Sequence, residues 1–335
     1  MFTRILIIAL LLLTFPLHAS AAPSSLQVEP IYPDNQVPET KGYFDVNATA
    51  GEQVNLKLKL QNTEDIPITV RVEKSNAYTS PTGGIFYELA VDSEDTMLLD
   101  NAILLADIMD TEETVSIPAN ESIDFPIQVT VPQTDAQTLL GGIKVTQMEE
   151  AVEEEGEELG EDEANFVLKT ELTYAIAIQL NLPTESEPNF STGNAGFIAP
   201  TAQVFLEVSN NAHLIQGDVE WTYSVLDSAG TELFNGAVNT FNMAPKSKIR
   251  FPVAWNHEEL ADGKYTLVAN GHAGEQVIAT EEPFEISNEA VEEYAEIVNP
   301  TPVVNEGDGI PVWVWIGAAI VFGIIMFLAG RRKKT

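Results

Sequence analysis

The sequence predicts an all-β protein with two tandem immunoglobulin-like β-sandwiches and a short helix in the first. Three observations support this fold class. Apolar and polar residues alternate over many short stretches, turn-forming residues cluster between those stretches, and a chain of 335 residues is long enough for about two domains. An acidic stalk and one C-terminal transmembrane helix complete the predicted architecture.

The alternation is clearest from Gln53 to Gln61, where the apolar side chains all fall on one face. This pattern is typical of a half-buried antiparallel strand. The same period of two recurs at 66–72, 123–131, 168–180, 204–208, 219–225 and 249–253. The stretch 98–109 differs, since its apolar spacing is closer to a helical turn, and it is the predicted helix.

We place the first sandwich at residues 26–183 and the second at 184–287, with the boundary in a Pro- and Glu-rich segment near Pro183. Residues 149–163 contain ten acidic residues and no base, so they cannot form part of a core. We interpret them as a long hairpin loop of the first sandwich, and an interdomain linker is the alternative. Residues 288–309 contain six acidic residues and no base, and they predict the stalk.

The two ends of the chain predict export and anchoring. Residues 1–21 combine Arg4, a short apolar run and a small-residue cleavage pattern, which indicates a signal peptide. Residues 310–330 form an apolar span that begins with two tryptophans, and the basic tail at 331–335 follows it. By the positive-inside rule the tail is cytoplasmic and the two-domain body is extracellular. The predicted location is therefore the cell membrane, with a single span.

Composition excludes several classes of function. The chain has 16 basic and 51 acidic residues and a net charge of -35, which disfavours nucleic acid as a partner. Only 11 of the basic residues belong to the external part, while all 51 acidic residues do. The absence of cysteine rules out disulfides, thiolate metal sites and thiol nucleophiles. An exported protein without cysteine suits the Gram-positive cell surface.

No catalytic, cofactor-binding or metal-binding residue is predicted. His213, His257 and His272 are scattered, and no nucleophile, phosphate-binding or zinc motif is present. The acidic run at 92–95 could bind calcium, but it lacks the order of an EF-hand loop, and a solvated acidic loop is the preferred interpretation. A membrane-anchored hydrolase of wall glycans with a carboxylate pair remains the minor enzymatic alternative. The chain is predicted not to be an enzyme.

Aromatic residues are concentrated in the first domain. Tyr43, Tyr78 and Tyr87 could form a platform for sugar rings. Alternatively, the neighbouring Phe44 and Phe86 belong to the core and the tyrosines lie at strand edges. Both interpretations stay open on sequence alone.

Several motifs resemble those of the WxL-interacting proteins of Gram-positive bacteria. They are the segments 33–36 (PDNQ), 42–46 (GYFDV), 60–63 (LQNT), 76–79 (NAYT), 83–87 (GGIFY), 140–143 (LGGI), 243–247 (MAPKS) and 262–265 (DGKY). The resemblance covers roughly residues 27–287, and the order of signal, two domains, span and basic tail agrees with it. The sequence departs from the family pattern at 49–51, around 276–278 and in the long acidic loop.

The resemblance implies an N-terminal peptidoglycan-binding domain and a second domain that binds host extracellular proteins and WxL-domain surface proteins. We therefore expect a non-enzymatic, membrane-anchored adaptor. A host-facing adhesin without wall binding is the main alternative. The candidate partner-binding residues are Asp34, Asn35, Gln36, Tyr43, Tyr78 and Tyr87.

Overall fold

A computed structural model describes residues 25–148 and 171–298. The described chain is mostly β, which confirms the predicted class. The predicted signal peptide, acidic loop, transmembrane helix and cytoplasmic tail lie outside the described residues, as do residues 299–309 of the stalk. No helix among the described residues is long and apolar enough to cross a membrane.

Two sheets enclose the first core. The four-stranded sheet contains, in spatial order, β1 (Leu26–Ile31), β3 (Gln53–Asn62), β9 (Ser122–Thr130) and β7 (Met109–Asp110). The six-stranded sheet contains β2 (Phe44–Asn47), β11 (Thr173–Asn181), β10 (Thr138–Met148), β4 (Ile68–Thr79) and β5 (Ile85–Glu88), with β8 (Thr114–Ile117) also paired to β4. All pairs are antiparallel except β2 with β11. Leucines and valines of β3 and β9 face those of β4, β10 and β11 across one buried cluster.

The strands β10 and β11 are antiparallel neighbours in one sheet. The chain between them therefore connects two strands of the same sheet, and this chain includes the acidic residues 149–163. Both strands also place small residues, Gly142 and Ala177, on the outer face of the sheet.

Two further sheets enclose the second core. One contains β12 (Phe190–Ile198), β13 (Gln203–Asn210), β16 (Ser247–Ala254) and β6 (Thr96–Leu98). The other contains β15 (Glu232–Met243), β14 (Gln216–Leu226), β17 (Gly263–Ala273) and β18 (Gln276–Ile286). Trp221 lies at the centre of this core, with its ring centroid 4.9 Å from that of Phe251 and 5.7 Å from that of Phe241.

Strand β6 joins the two sandwiches. It belongs by sequence to the first domain, yet it pairs antiparallel with Ser247–Ile249 of β16 and forms the edge of a sheet in the second. The cores on either side of residue 183 are thus separate, but one sheet crosses between the domains.

The predicted short helix over 98–109 is confirmed only in part. Only Leu105–Ile108 form a short 3-10 helix; Leu98 ends β6, residues 99–104 form neither helix nor strand, and Met109 begins β7. The apolar residues of this stretch point to different neighbours: Leu105 packs in the first core, and Leu98 pairs with Ser247 of the second sandwich. Their spacing imitates a helix because the stretch crosses from one sandwich to the other.

The predicted stalk begins with helix α1 (Asn288–Val298). Ala290 and Val291 of this helix pack against the second core. The first half of the stalk is therefore attached to the second sandwich.

Candidate functional site

The polar residues of the PDNQ motif hold a loop against β2. Asn35 donates through Nδ2 to the backbone oxygen of Asn47 at 2.7 Å. Gln36 donates to the backbone oxygen of Tyr43 at 3.2 Å and accepts from the backbone N–H of Asp45 at 3.1 Å. Both side chains thus position the segment that carries Tyr43, and Asp34 is exposed beside them.

The turn before β2 fixes the direction of Tyr43. Gly42 has φ +90°, a left-handed conformation that favours glycine, and its N–H donates to the Tyr32 hydroxyl at 2.7 Å. Phe44 then points into the core with no exposed surface. Tyr43 directly precedes β2, and its phenol is close enough to Tyr87, on the outer face of the sheet, to act on it electrostatically.

A row of small residues crosses the outer face next to Tyr43. The register places Ala177 of β11 opposite Gly142 of β10, and Gly142 opposite Ser75 of β4. Since Phe44 pairs with Ile178, Tyr43 lies at the β2 end of this row. We call Tyr43, Ala177, Gly142, Ser75 and Tyr87 the tyrosine trough.

Tyr87 forms the other wall of the trough. It belongs to β5 and pairs with Ala77, one row away from Ser75. A methyl group placed on Gly142 would be 3.3 Å from Tyr87 Cδ1 and 3.3 Å from Ser75 Oγ. The Tyr87 ring therefore leans across β4 toward β10, and Gly142 leaves the space it needs.

Burial and charge both act on the Tyr87 phenol. Burial raises its pKa to about 12, and the nearby Tyr43 phenol adds to the rise. The two tyrosines are thus close enough to interact, and Tyr87 stays neutral at physiological pH. It can therefore donate a hydrogen bond to a ligand.

Ser75 contributes an unused hydroxyl beneath Tyr87. The residue has no exposed surface, and its Oγ has no hydrogen-bond partner among the described residues. A buried hydroxyl without a partner costs free energy, so it is a feature that function can explain.

Polar and charged groups border the trough. Lys144 lies one row from Gly142, and its Nζ contacts both carboxylate oxygens of Glu88 at 2.8 and 2.9 Å. On the β2 side, Asp45 accepts hydrogen bonds from Asn181 at 2.6 Å and from Thr40 at 2.8 Å. Small apolar groups on the floor, aromatic walls and a polar rim are the usual composition of a binding site for a neutral polar ligand.

Tyr78 does not contribute to the outer face. It is 6% exposed and stacks near Phe86, with ring centroids 5.7 Å apart. Burial raises its pKa. Of the three tyrosines, only Tyr43 and Tyr87 present ring surface at the trough.

The second sandwich covers the outer face next to the trough. Ala77 and Leu140, one row beyond Ser75 and Gly142, pack on Ala244. Beside them, Thr79 and Ser247 are joined through their hydroxyls. The trough thus lies beside the interdomain junction.

The acidic run at 92–95 contributes to the same junction. Glu94 forms an ion pair with Arg250 at 2.6 Å, and the backbone oxygen of Asp95 accepts from the Arg250 N–H at 3.0 Å. Within residues 25–148 and 171–298, no cluster of His, Asp and Glu side chains could hold a metal ion. Glu94 and Asp95 of this run therefore contribute to interdomain contact.

Sequence reasoning missed Ser75, Gly142 and Ala177. Their only signal is the row of small residues at outward positions of three strands, where larger polar residues are common. The register between strands is needed before these positions become neighbours.

Two family models match the chain. The model for the WxL Interacting Protein peptidoglycan binding domain matches residues 26–147, and the model for the host binding domain of the same family matches residues 163–296. The tyrosine trough draws Tyr43, Ser75, Tyr87 and Gly142 from the first match and Ala177 from the second. No curated protein matches the chain.

Solved structures with similarity include fimbrial chaperones. The class 5 fimbriae chaperone CfaA is 13% identical, with 77% of this chain and 98% of the other covered at a TM-score of 0.32. The E. coli chaperone DraB is 12% identical, with 78% and 96% covered at a TM-score of 0.30. The CsuC–CsuE complex from Acinetobacter baumannii gives 12% identity, 79% and 100% coverage and a TM-score of 0.33.

Proposed function

The chain belongs to the WxL-interacting protein family, and from this premise we propose that it is a non-enzymatic, membrane-anchored adaptor of the Gram-positive cell surface. Its first sandwich binds peptidoglycan, and its second binds WxL-domain surface proteins or host extracellular proteins. The two family matches support the two classes of ligand, and the signal and span predicted from the sequence support the location.

The observation that carries wall binding is the tyrosine trough. The ring of Tyr87, which lies over the buried Gly142 and Ser75, and the ring of Tyr43 offer apolar surface to the C–H face of a sugar ring, while the phenols and the polar rim offer hydrogen bonds. The negative charge of the external part disfavours polyanionic wall polymers, so the neutral glycan strand is the better ligand. We therefore assign the glycan of peptidoglycan to the trough.

Sedimentation with purified sacculi tests this assignment. The external part, residues 22–309, contains both cores, and we expect it to sediment with sacculi. The double variant Tyr43→Ala, Tyr87→Ala should lose at least tenfold in affinity, because both walls of the trough are removed. Tyr294→Ala on helix α1 is the matched control and should bind as the parent does.

The competing functions give different results in the same experiment. No sedimentation of the parent protein, with adhesion to host extracellular proteins retained, would favour the adhesin without wall binding. Release of soluble fragments from the sacculi would instead indicate a hydrolase. Equal binding by the double variant and the parent would reject the trough as the site while leaving wall binding intact.

A further inference from the structure

In the second sandwich, β15 and β18 are the edge strands of one sheet. They differ in how well they resist pairing with a strand of another chain. Strand β18 carries Glu281, Glu282, Pro283 and Glu285, which hinder the addition of another strand. Strand β15 has no charged residue and no proline from Leu233 to Met243. A long uncharged edge is unusual in a chain of net charge -35. Among the described strands β15 pairs only with β14, so its other edge is open to pairing, while Gly83 of the first sandwich lies against the Phe241 side chain toward the C-terminal end of β15.

The neighbouring edge, on the other sheet, is already occupied or blunted. Strand β6 pairs only with Ser247–Ile249 of β16. On the same side of β16, the Arg250 N–H donates to the backbone oxygen of Asp95. Along a strand, the N–H groups of every second residue point to the same side. Two residues after Arg250, that position is Pro252, which has no N–H. This part of β16 is a poor partner for an added strand, whereas β15 is a good one.

A notch lies between β15 and the unpaired part of β16. Its volume is about 240 Å³, which is room for side chains rather than for a single water. Apolar groups of Val238, Phe251 and Val253 line it, and Thr82 from the first sandwich and Asn239 form part of its polar border. The notch thus suits a side chain with an apolar body and a polar tip.

Tyr223 extends from the core toward the notch. A methyl group on Gly236 of β15 would lie 2.4 Å from the Tyr223 hydroxyl, so the phenol passes directly against the β15 backbone. Burial raises its pKa, and it stays neutral at physiological pH. Its hydroxyl is available as a polar partner at the floor of the notch.

We propose that β15 binds an extended peptide segment of a partner protein as an added strand, with one tyrosine-like side chain in the notch. The partner segment is uncharged along the paired residues and basic at its ends, because Glu232 begins β15 and Glu220 of β14 accepts a hydrogen bond from Thr240 toward the other end of β15. The inference rests on the protein-binding half of the proposed function and is independent of wall binding. The molecule already uses this mode of contact once, since β6 is a strand added to the neighbouring sheet from outside its sandwich.

Disulfide trapping tests the proposal, since the full-length chain contains no cysteine. The probe is a synthetic nine-residue peptide with alternating Thr and Val, a Lys at each end, a central Tyr and one Cys beside it. We expect disulfide formation with the full-length Asn239→Cys protein to be at least tenfold faster than with Val277→Cys. Val277 is the matched control because it is 83% exposed on β18, at the opposite edge of the same sheet.

Two further experiments separate the contribution of the notch to peptide binding from that of the β15 edge. Ala254→Trp fills the notch from its exposed side and should reduce the trapping rate at Asn239→Cys to the control level. A peptide with central Gly in place of Tyr should trap at least fivefold more slowly, and this arm needs no second protein variant. Equal rates at Asn239→Cys and Val277→Cys, or rates independent of the central residue, would overturn the proposal. Neither result would bear on sedimentation with sacculi.

Discussion

Thr79 and Ser247 lie 168 residues apart in sequence, yet their hydroxyl oxygens are 2.5 Å apart and buried between the two sandwiches. Thr79 Oγ1 also accepts from the Ala244 N–H at 2.9 Å, and Ser247 Oγ donates to the Ala244 oxygen at 2.7 Å. A closed set of hydrogen bonds thus replaces water at the junction.

Removing the Thr79 hydroxyl should weaken this junction. Thr79→Val keeps the shape of the side chain but leaves the buried Ala244 N–H without its acceptor, which costs about 1–3 kcal/mol. The free energy of unfolding, measured with denaturant, should fall by that amount. Thr82→Val, in the turn that follows β4, changes an exposed hydroxyl and should have little effect.

Adding a methyl group at Gly142 should impair the trough. The new carbon would lie 2.9 Å from the backbone oxygen of Ile176 and would press on Tyr87. We expect Gly142→Ala to cost about 1–3 kcal/mol of stability through overpacking and to weaken binding to sacculi. Gly217→Ala is the control, because its nearest contact would be an ordinary 3.5 Å. Unchanged sedimentation of Gly142→Ala would argue against the trough.

Breaking the β6 ladder should expose the crossing segment to protease. Met97 lies opposite Lys248, at the centre of the three paired residues. Met97→Pro removes the backbone donor at that position, so limited proteolysis should cut between residues 92 and 99 at least tenfold faster than in the parent. Met97→Thr keeps the donor and should resist cleavage. Equal resistance of both variants would show that β6 does not hold the segment in solution.

His213 should make the junction sensitive to acid. Burial and then the charge of Lys246 lower its pKa, while Asp135 acts in the opposite direction. Because the pKa is lowered in the folded state, the unfolded chain binds the proton more readily. The stability contributed by neutral His213 is therefore present above the ordinary histidine pKa of about 6.5 and is lost as the pH falls below it. Denaturation between pH 8 and 5.5 should therefore show a smaller pH dependence in His213→Gln. The exposed His257→Gln should match the parent.

Alternation identified most of the strands that form the two cores. The stretch from Gln53 to Gln61 corresponds to β3, and residues 123–131 correspond to β9 with a shift of one residue. These strands were accessible to sequence reasoning because each has one buried and one exposed face, so its pattern is local.

Contacts between distant segments were not accessible in this way. Strand β6 has three residues and no alternation, and its partner lies about 150 residues further along the chain. The candidate site likewise combines residues that the sequence makes visible with residues that it does not. Tyr43 and Tyr87 are visible as aromatic residues, whereas Ser75 and Gly142 become part of a site only through the register of β4 with β10.

The crossing of β6 has a mechanical consequence. A surface protein held at one end and attached at the other experiences tension in flowing fluid. Two sandwiches joined by a simple tether would swing apart under such a load. Here a pull that separates the sandwiches must first break the β6 backbone ladder and the hydroxyl contacts beside it.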